Sequence, residues 1–165
     1  MRKLVLLFSL VTAWSFGAPI TVDSGWQTFS FGSVGDAAST SSFEYVWGSA
    51  VTISVVDGWI IGDEFTVSIG GGPAVPTSSS VTWDGIQSDA YDGDAAWADG
   101  RLSWLALAGP AGSNALTIDL TRNALGTDGG GAFVRVDSAA IPEPATFVLL
   151  GSAFTVLALL RRRLS

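Results

Sequence analysis

The sequence predicts an all-β fold, a single jelly-roll-like antiparallel β-sandwich, and three observations carry that expectation. From Ile20 onward the apolar residues recur at every second position rather than with helical spacing. Gly-, Ser- and Asp-rich turns punctuate the chain, among them Gly70-Gly71-Gly72-Pro73 and Gly129-Gly130-Gly131. Outside the two apolar ends, no stretch of about ten residues has the spacing of an amphipathic helix.

Taken in order, the expected strands run from Gln27 to Phe31, Phe43 to Trp47, Val51 to Val56, Phe65 to Ile69, Val81 to Asp84, Leu102 to Leu107, Leu116 to Thr121 and Ala132 to Asp137. Alternation is cleanest in Val51-Thr52-Ile53-Ser54-Val55 and in Leu116-Thr117-Ile118-Asp119-Leu120. Each of these segments has one face for a core and one for water. Short antiparallel strands in this number pack most simply as two sheets face to face.

The chain has 165 residues, and removing both ends leaves roughly 120, near the common size for one core. The expected division is residues 1–17 as a signal peptide, 18–140 as the sandwich and 141–165 as a tail. Cysteine and histidine are both absent. Disulfides, thiolate metal sites, Ser-His-Asp triads and histidine zinc sites are thereby excluded by inventory.

Between Ala18 and Ala140 there are three arginines, no lysine and fourteen Asp and Glu, a balance of −11. Binding a phosphate backbone requires Lys and Arg to displace counterions, so nucleic acid is not an expected partner. Acidity of this degree also keeps an exported domain soluble without implying any ligand.

Each end has its own signature. Arg2 and Lys3, the apolar run from Leu4 to Val11 and the small residues Ser15 and Gly17 form the three parts of a secretory signal, with a cut expected after Gly17. At the other end residues 145–160 are uncharged and mostly apolar. As a helix they would span about 24 Å, a short transmembrane segment. Arg161, Arg162 and Arg163 follow as a basic stop that would remain cytoplasmic.

Ahead of that run stands Ile141-Pro142-Glu143-Pro144-Ala145-Thr146. Motif, hydrophobic run and arginine cluster, in that order at the chain end, closely resemble the PEP-CTERM sorting domain. The resemblance implies recognition by an exosortase, cleavage near Pro142-Glu143-Pro144 and delivery to the cell surface or matrix, where such proteins accompany exopolysaccharide and biofilm. The two prolines hold Glu143 in extended backbone, which a protease needs. A plain anchor with a proline-rich hinge is the competing reading. The stretches Val55 to Phe65 and Gly129 to Asp137 also look like segments common in ectodomains that carry this tail.

Three chemistries remain for the domain. Asp89, Asp92 and Asp94 lie in an acidic segment that also holds Tyr91 and Trp97, and oxygen ligands from one loop suit calcium. Their spacing is not that of an EF-hand, and a solvated acidic loop is the alternative. Asp57, Asp63 and Glu64 form a second acidic group.

The domain holds six tryptophans: Trp26, Trp47, Trp59, Trp83, Trp97 and Trp104. Trp83 and Trp104 sit in expected strands and read as core. Trp59 and Trp97 lie in loop context beside acids and are the residues expected to stack on a glycan if any do. A carboxylate-based glycosidase needs two acids about 5 to 9 Å apart, and no spacing in the sequence singles out such a pair. The expected function is therefore a non-catalytic, surface-displayed structural or adhesion protein, with a lectin-like module, calcium-dependent or not, as the alternative.

Overall fold

The computed structural model describes residues 17–80 and 85–139. The expected signal peptide, the segment Val81 to Asp84 with Trp83, and the tail carrying Pro142, Glu143, Pro144, residues 145–160 and Arg161 to Arg163 lie outside the described residues. Among the described residues no helix is long and apolar enough to cross a membrane.

Among the described residues nine strands form: β1 (Ala18–Pro19), β2 (Gln27–Phe31), β3 (Thr40–Trp47), β4 (Val51–Asp57), β5 (Glu64–Ile69), β6 (Val75–Pro76), β7 (Trp104–Gly109), β8 (Gly112–Arg122) and β9 (Gly130–Ser138). One sheet has the order β1-β3-β8-β5-β6 and the other β2-β9-β4-β7. Strands β2 to β9 thus distribute over two four-stranded layers by repeated crossing between them, which is the eight-stranded arrangement of a jelly roll. The departure from a purely antiparallel sandwich is β1, which pairs with β3 in parallel, Ala18 opposite Phe43.

The main core lies between the sheets. Strand β4 contributes Val51, Ile53 and Val55, β9 contributes Ala132, Val134 and Val136, and β8 contributes Leu116, Ile118 and Leu120. Each set has the spacing of two that puts side chains on one face of a strand. Four phenylalanines fill the space between, with Phe29 edge-on to Phe43 and Phe65 at 5.7 and 6.0 Å, and Phe31 edge-on to Phe65 at 5.1 Å. Edge-to-face rings at these separations add to the area they bury, and the sandwich closes without a disulfide.

The outer face of the four-stranded sheet is not left to water. Register places Thr28 beside Phe133, Phe133 beside Val56 and Val56 beside Trp104, one row across all four strands. Over this row lies α1 (Gly93–Ala98), a helix of six residues too short for the sequence pattern to announce. Val56 and Phe133 join Ile61, Ala90, Ala96 and Leu102 in a second apolar cluster, edged by Trp26, Trp59 and Trp97.

Candidate functional site

The covered face is where the chemistry collects. Asp92 caps α1, its side chain accepting the Ala95 N–H at 2.8 Å, and so fixes the helix start. Asp94 Oδ1 accepts the Trp26 Nε1–H at 2.8 Å and lies 3.4 Å from Arg135 Nη1. The Arg135 guanidinium stands 4.5 Å from the centre of the Trp26 ring, a cation–π distance, and its Nε lies 2.7 Å from Asp137 Oδ2. Helix α1 is thereby tied to β9 through one indole and one guanidinium.

From Trp26 the aromatic surface continues across the sheet. The Trp26 and Trp97 rings are 5.6 Å apart, and Trp97 meets Trp104 edge-on at 5.3 Å. Trp104 is 44% exposed and Tyr91 72%. Trp104 is therefore not core, contrary to the expectation from its strand. In β7 the inward phase belongs to Leu105 and Leu107, which pack on the main core, and Trp104 falls on the other face opposite Val56.

Of the two tryptophans expected to stack on a glycan, Trp97 is half-buried within this row. Trp59, with φ of 58°, packs its ring 4.9 Å from Phe133 and so close to Gly131 that a Cβ there would come within 2.4 Å of it. Gly93 makes the same accommodation for Trp26, where a Cβ would lie 2.2 Å from the ring. Glycine at these two positions lets the indoles lie against backbone.

A cleft of about 240 Å³ opens beside the row, with Trp26, Thr28, Tyr91, Asp92, Asp94 and Phe133 in its lining. Asp89 lines a different depression, with Ala90, Ala95, Ala98 and Asp99. Of the three acids expected to hold calcium, Asp92 and Asp94 thus line one depression and Asp89 another. Among the described residues no three or more carboxylates are grouped to hold a metal. Asp92 uses one carboxylate oxygen for the helix cap, and Asp94 meets Trp26 and Arg135.

Two buttresses hold the cover in place. Asp99 takes both Nε and Nη2 of Arg101, at 2.9 and 2.8 Å, and the Ser88 hydroxyl at 2.6 Å, which staples the residue 86–90 segment to the end of α1. The Arg101 hydrogen bonds hold the Asp99 carboxyl well below the usual range, with Ser88 assisting. The second buttress lies at the end of β4, where Asp57 and Asp63 are 0% and 1% exposed. Asp57 Oδ1 accepts the Gly58 N–H at 2.8 Å and Asp63 Oδ1 the Ala124 N–H at 2.6 Å.

Burial, reinforced by the neighbouring Asp63 charge, pushes Asp57 up to about 9 against the opposing pull of backbone N–H groups from Gly58, Asp63 and Gly62. Burial likewise raises Asp63 to about 6, opposed by the Ala124 N–H. Glu64, the third acid of that group, turns away to Arg122 Nη1 at 2.9 Å and the Ser80 N–H at 3.1 Å.

The residues that sequence reasoning missed are Trp26, Trp104, Tyr91 and Arg135. For Trp104 a signal existed, since Leu105 and Leu107 already claim the inward phase of their strand. Trp26 and Arg135 become neighbours only through the β2–β9 pairing, in which Gln27 stands opposite Val134.

Compared with known proteins, residues 140–163 match the model of the PEP-CTERM protein-sorting motif. No curated protein sequence matches the chain. Among solved structures it is similar to the pre-peptidase C-terminal domain of a collagenase from Bacillus anthracis, at 14% identity and a TM-score of 0.42, over 73% of this chain and 93% of that one.

Proposed function

We propose, from the PEP-CTERM protein-sorting motif that this chain carries at residues 140–163, that it is an exported, non-catalytic surface or matrix protein. An exosortase cuts it from a C-terminal membrane anchor after a signal peptidase has removed the leader. The motif is the observation that carries the reading. It accords with an acidic domain that contains neither cysteine nor histidine. The domain contributes to the organisation of exopolysaccharide or biofilm as a structural or adhesion component.

The sorting step is tested in the native host with a Glu143→Ala variant beside an exosortase deletion. The expected outcome is retention of the uncut protein in the inner membrane in both strains, read as a size difference on immunoblots of membrane and surface fractions. Normal processing in both would leave the tail a simple anchor.

A second reading, glycan binding, is favoured by a specific observation: the continuous row of Trp26, Trp97 and Trp104 with Tyr91 exposed beside it. Aromatic faces of this kind supply large, rigid contact area at low entropic cost.

A further inference from the structure

We propose that the cleft beside Trp26 receives an ammonium-bearing pyranose ring of an amino-sugar polysaccharide. This rests on the glycan-binding reading and names its ligand class. At about 240 Å³ the cleft is smaller than the ~300–1,000 Å³ pockets that hold drug-sized molecules, and suits a single ring with its chain running out to either side. Its lining combines two kinds of surface. Trp26 and Tyr91 offer aromatic carbon, with the buried Phe133 as floor, and Asp92 and Asp94 offer negative charge.

Charge decides the class of sugar. Each of the three arginines in residues 18–139 is already ion-paired: Arg101 with Asp99, Arg122 with Glu64, and Arg135 with Asp94 and Asp137. A polyuronate or a phosphate-bearing polymer would therefore approach a strongly acidic domain with every cation engaged, and like charges oppose its docking. A neutral sugar fits the rings and can hydrogen-bond the Asp92 carboxylate through its hydroxyls, but it leaves uncompensated a charge that makes no ion pair among the described residues. Desolvating an unpaired charge is costly. An ammonium group removes that cost by pairing with Asp92, and it also gains from the exposed ring of Tyr91. Thr28 supplies a hydroxyl at the same wall for a sugar hydroxyl.

The experiment uses full-length protein in detergent, titrated with chitosan oligosaccharides, fully N-acetylated chito-oligosaccharides, dextran and oligogalacturonate, and read by intrinsic tryptophan fluorescence. Chitosan oligosaccharides are expected to bind at least tenfold more tightly than the other three. Tyr91→Ala removes an exposed ring that the fold does not need, and should weaken that binding about tenfold. Asp92→Asn retains a side-chain oxygen for the helix cap and should weaken it five- to tenfold. Asp128→Asn, in an exposed loop away from the cleft, should leave it unchanged. Equal loss in Asp128→Asn and Asp92→Asn would reduce the effect to general polyelectrolyte attraction and overturn the cleft. Equal binding of dextran or the acetylated oligomer would overturn the ammonium class while sparing glycan binding. Silence across all four probes would end both.

Discussion

The two outer faces of the sandwich repay comparison. On the five-stranded sheet, the outward positions of β3, β8 and β5 hold Ser42, Glu44, Thr117, Asp119, Thr66 and Ser68, all at least partly exposed. On the four-stranded sheet the outward row includes Val56 and Phe133, at 0% and 4% exposure, sealed under α1 and three indoles. One face is finished when the strands pair. The other needs a second layer, brought from elsewhere in the chain and held by Asp92, Asp94 and Asp99. Aromatic side chains used in that way leave their edges at the rim of the layer, and a cleft arises where the layer stops short of β2.

Substitutions that remove one face and spare the other sharpen this contrast. The largest effect is expected for Phe133→Ala, which empties the centre of the second cluster and should cost about 3–5 kcal/mol in urea denaturation. A cost below about 1 kcal/mol would mean that the cover contributes little to the fold.

Next comes the pH dependence set by Asp57 and Asp63, which anchor the loop bearing Trp59. Both folded-state values, about 9 and about 6, lie above the unfolded value near 3.9. The folded state therefore holds more protons than the unfolded chain above pH 4, and stability falls as pH rises. The part due to Asp63 is lost by about pH 6 and that due to Asp57 by about pH 9, with a slope of up to about 1.4 kcal/mol per pH unit for each. Asp57→Asn should flatten the profile between pH 6 and pH 9 in thermal melts. An unchanged slope in that variant would exclude Asp57 as its source.

A smaller loss, about 1–3 kcal/mol, is expected for Gly93→Ala, whose new methyl group meets the Trp26 ring. Its tryptophan emission should shift as Trp26 leaves Asp94. The smallest effect belongs to the solvated face: Thr117→Ala should change stability by no more than about 0.5 kcal/mol. A loss comparable to that of Phe133→Ala would erase the distinction between the faces.

Period-two alternation made the main core legible. Strand β2 occupies Gln27–Phe31 as expected, and the inward residues of β4 and β8 are those the alternation assigns. Boundaries were less legible where the ends are small or polar. Strand β8 starts at Gly112, four residues before the expected Leu116, because Gly112-Ser113-Asn114 reads as a turn yet pairs with β3. Strand β6 hides behind Pro76.

The second layer was the least legible part. Leu102 reads as the start of a strand but belongs to the outer cluster, and β7 begins at Trp104. A helix of six residues leaves almost no periodic trace. The candidate cleft unites residues of 26–28, 91–94 and 133, which only the sheet register and the cover bring together.

Strand β9 lies between β2 and β4, hydrogen-bonded on both sides, and its end is secured by the Ser138 N–H to Asp23 Oδ1 at 2.7 Å and the Ala139 N–H to the Ala50 carbonyl at 3.0 Å. The sorting motif begins at the next residue. A pull on the tail therefore loads this strand along its own axis, and two ladders must shear together before it slides. The strand next to the sorting motif is thus one that two neighbours grip along its length.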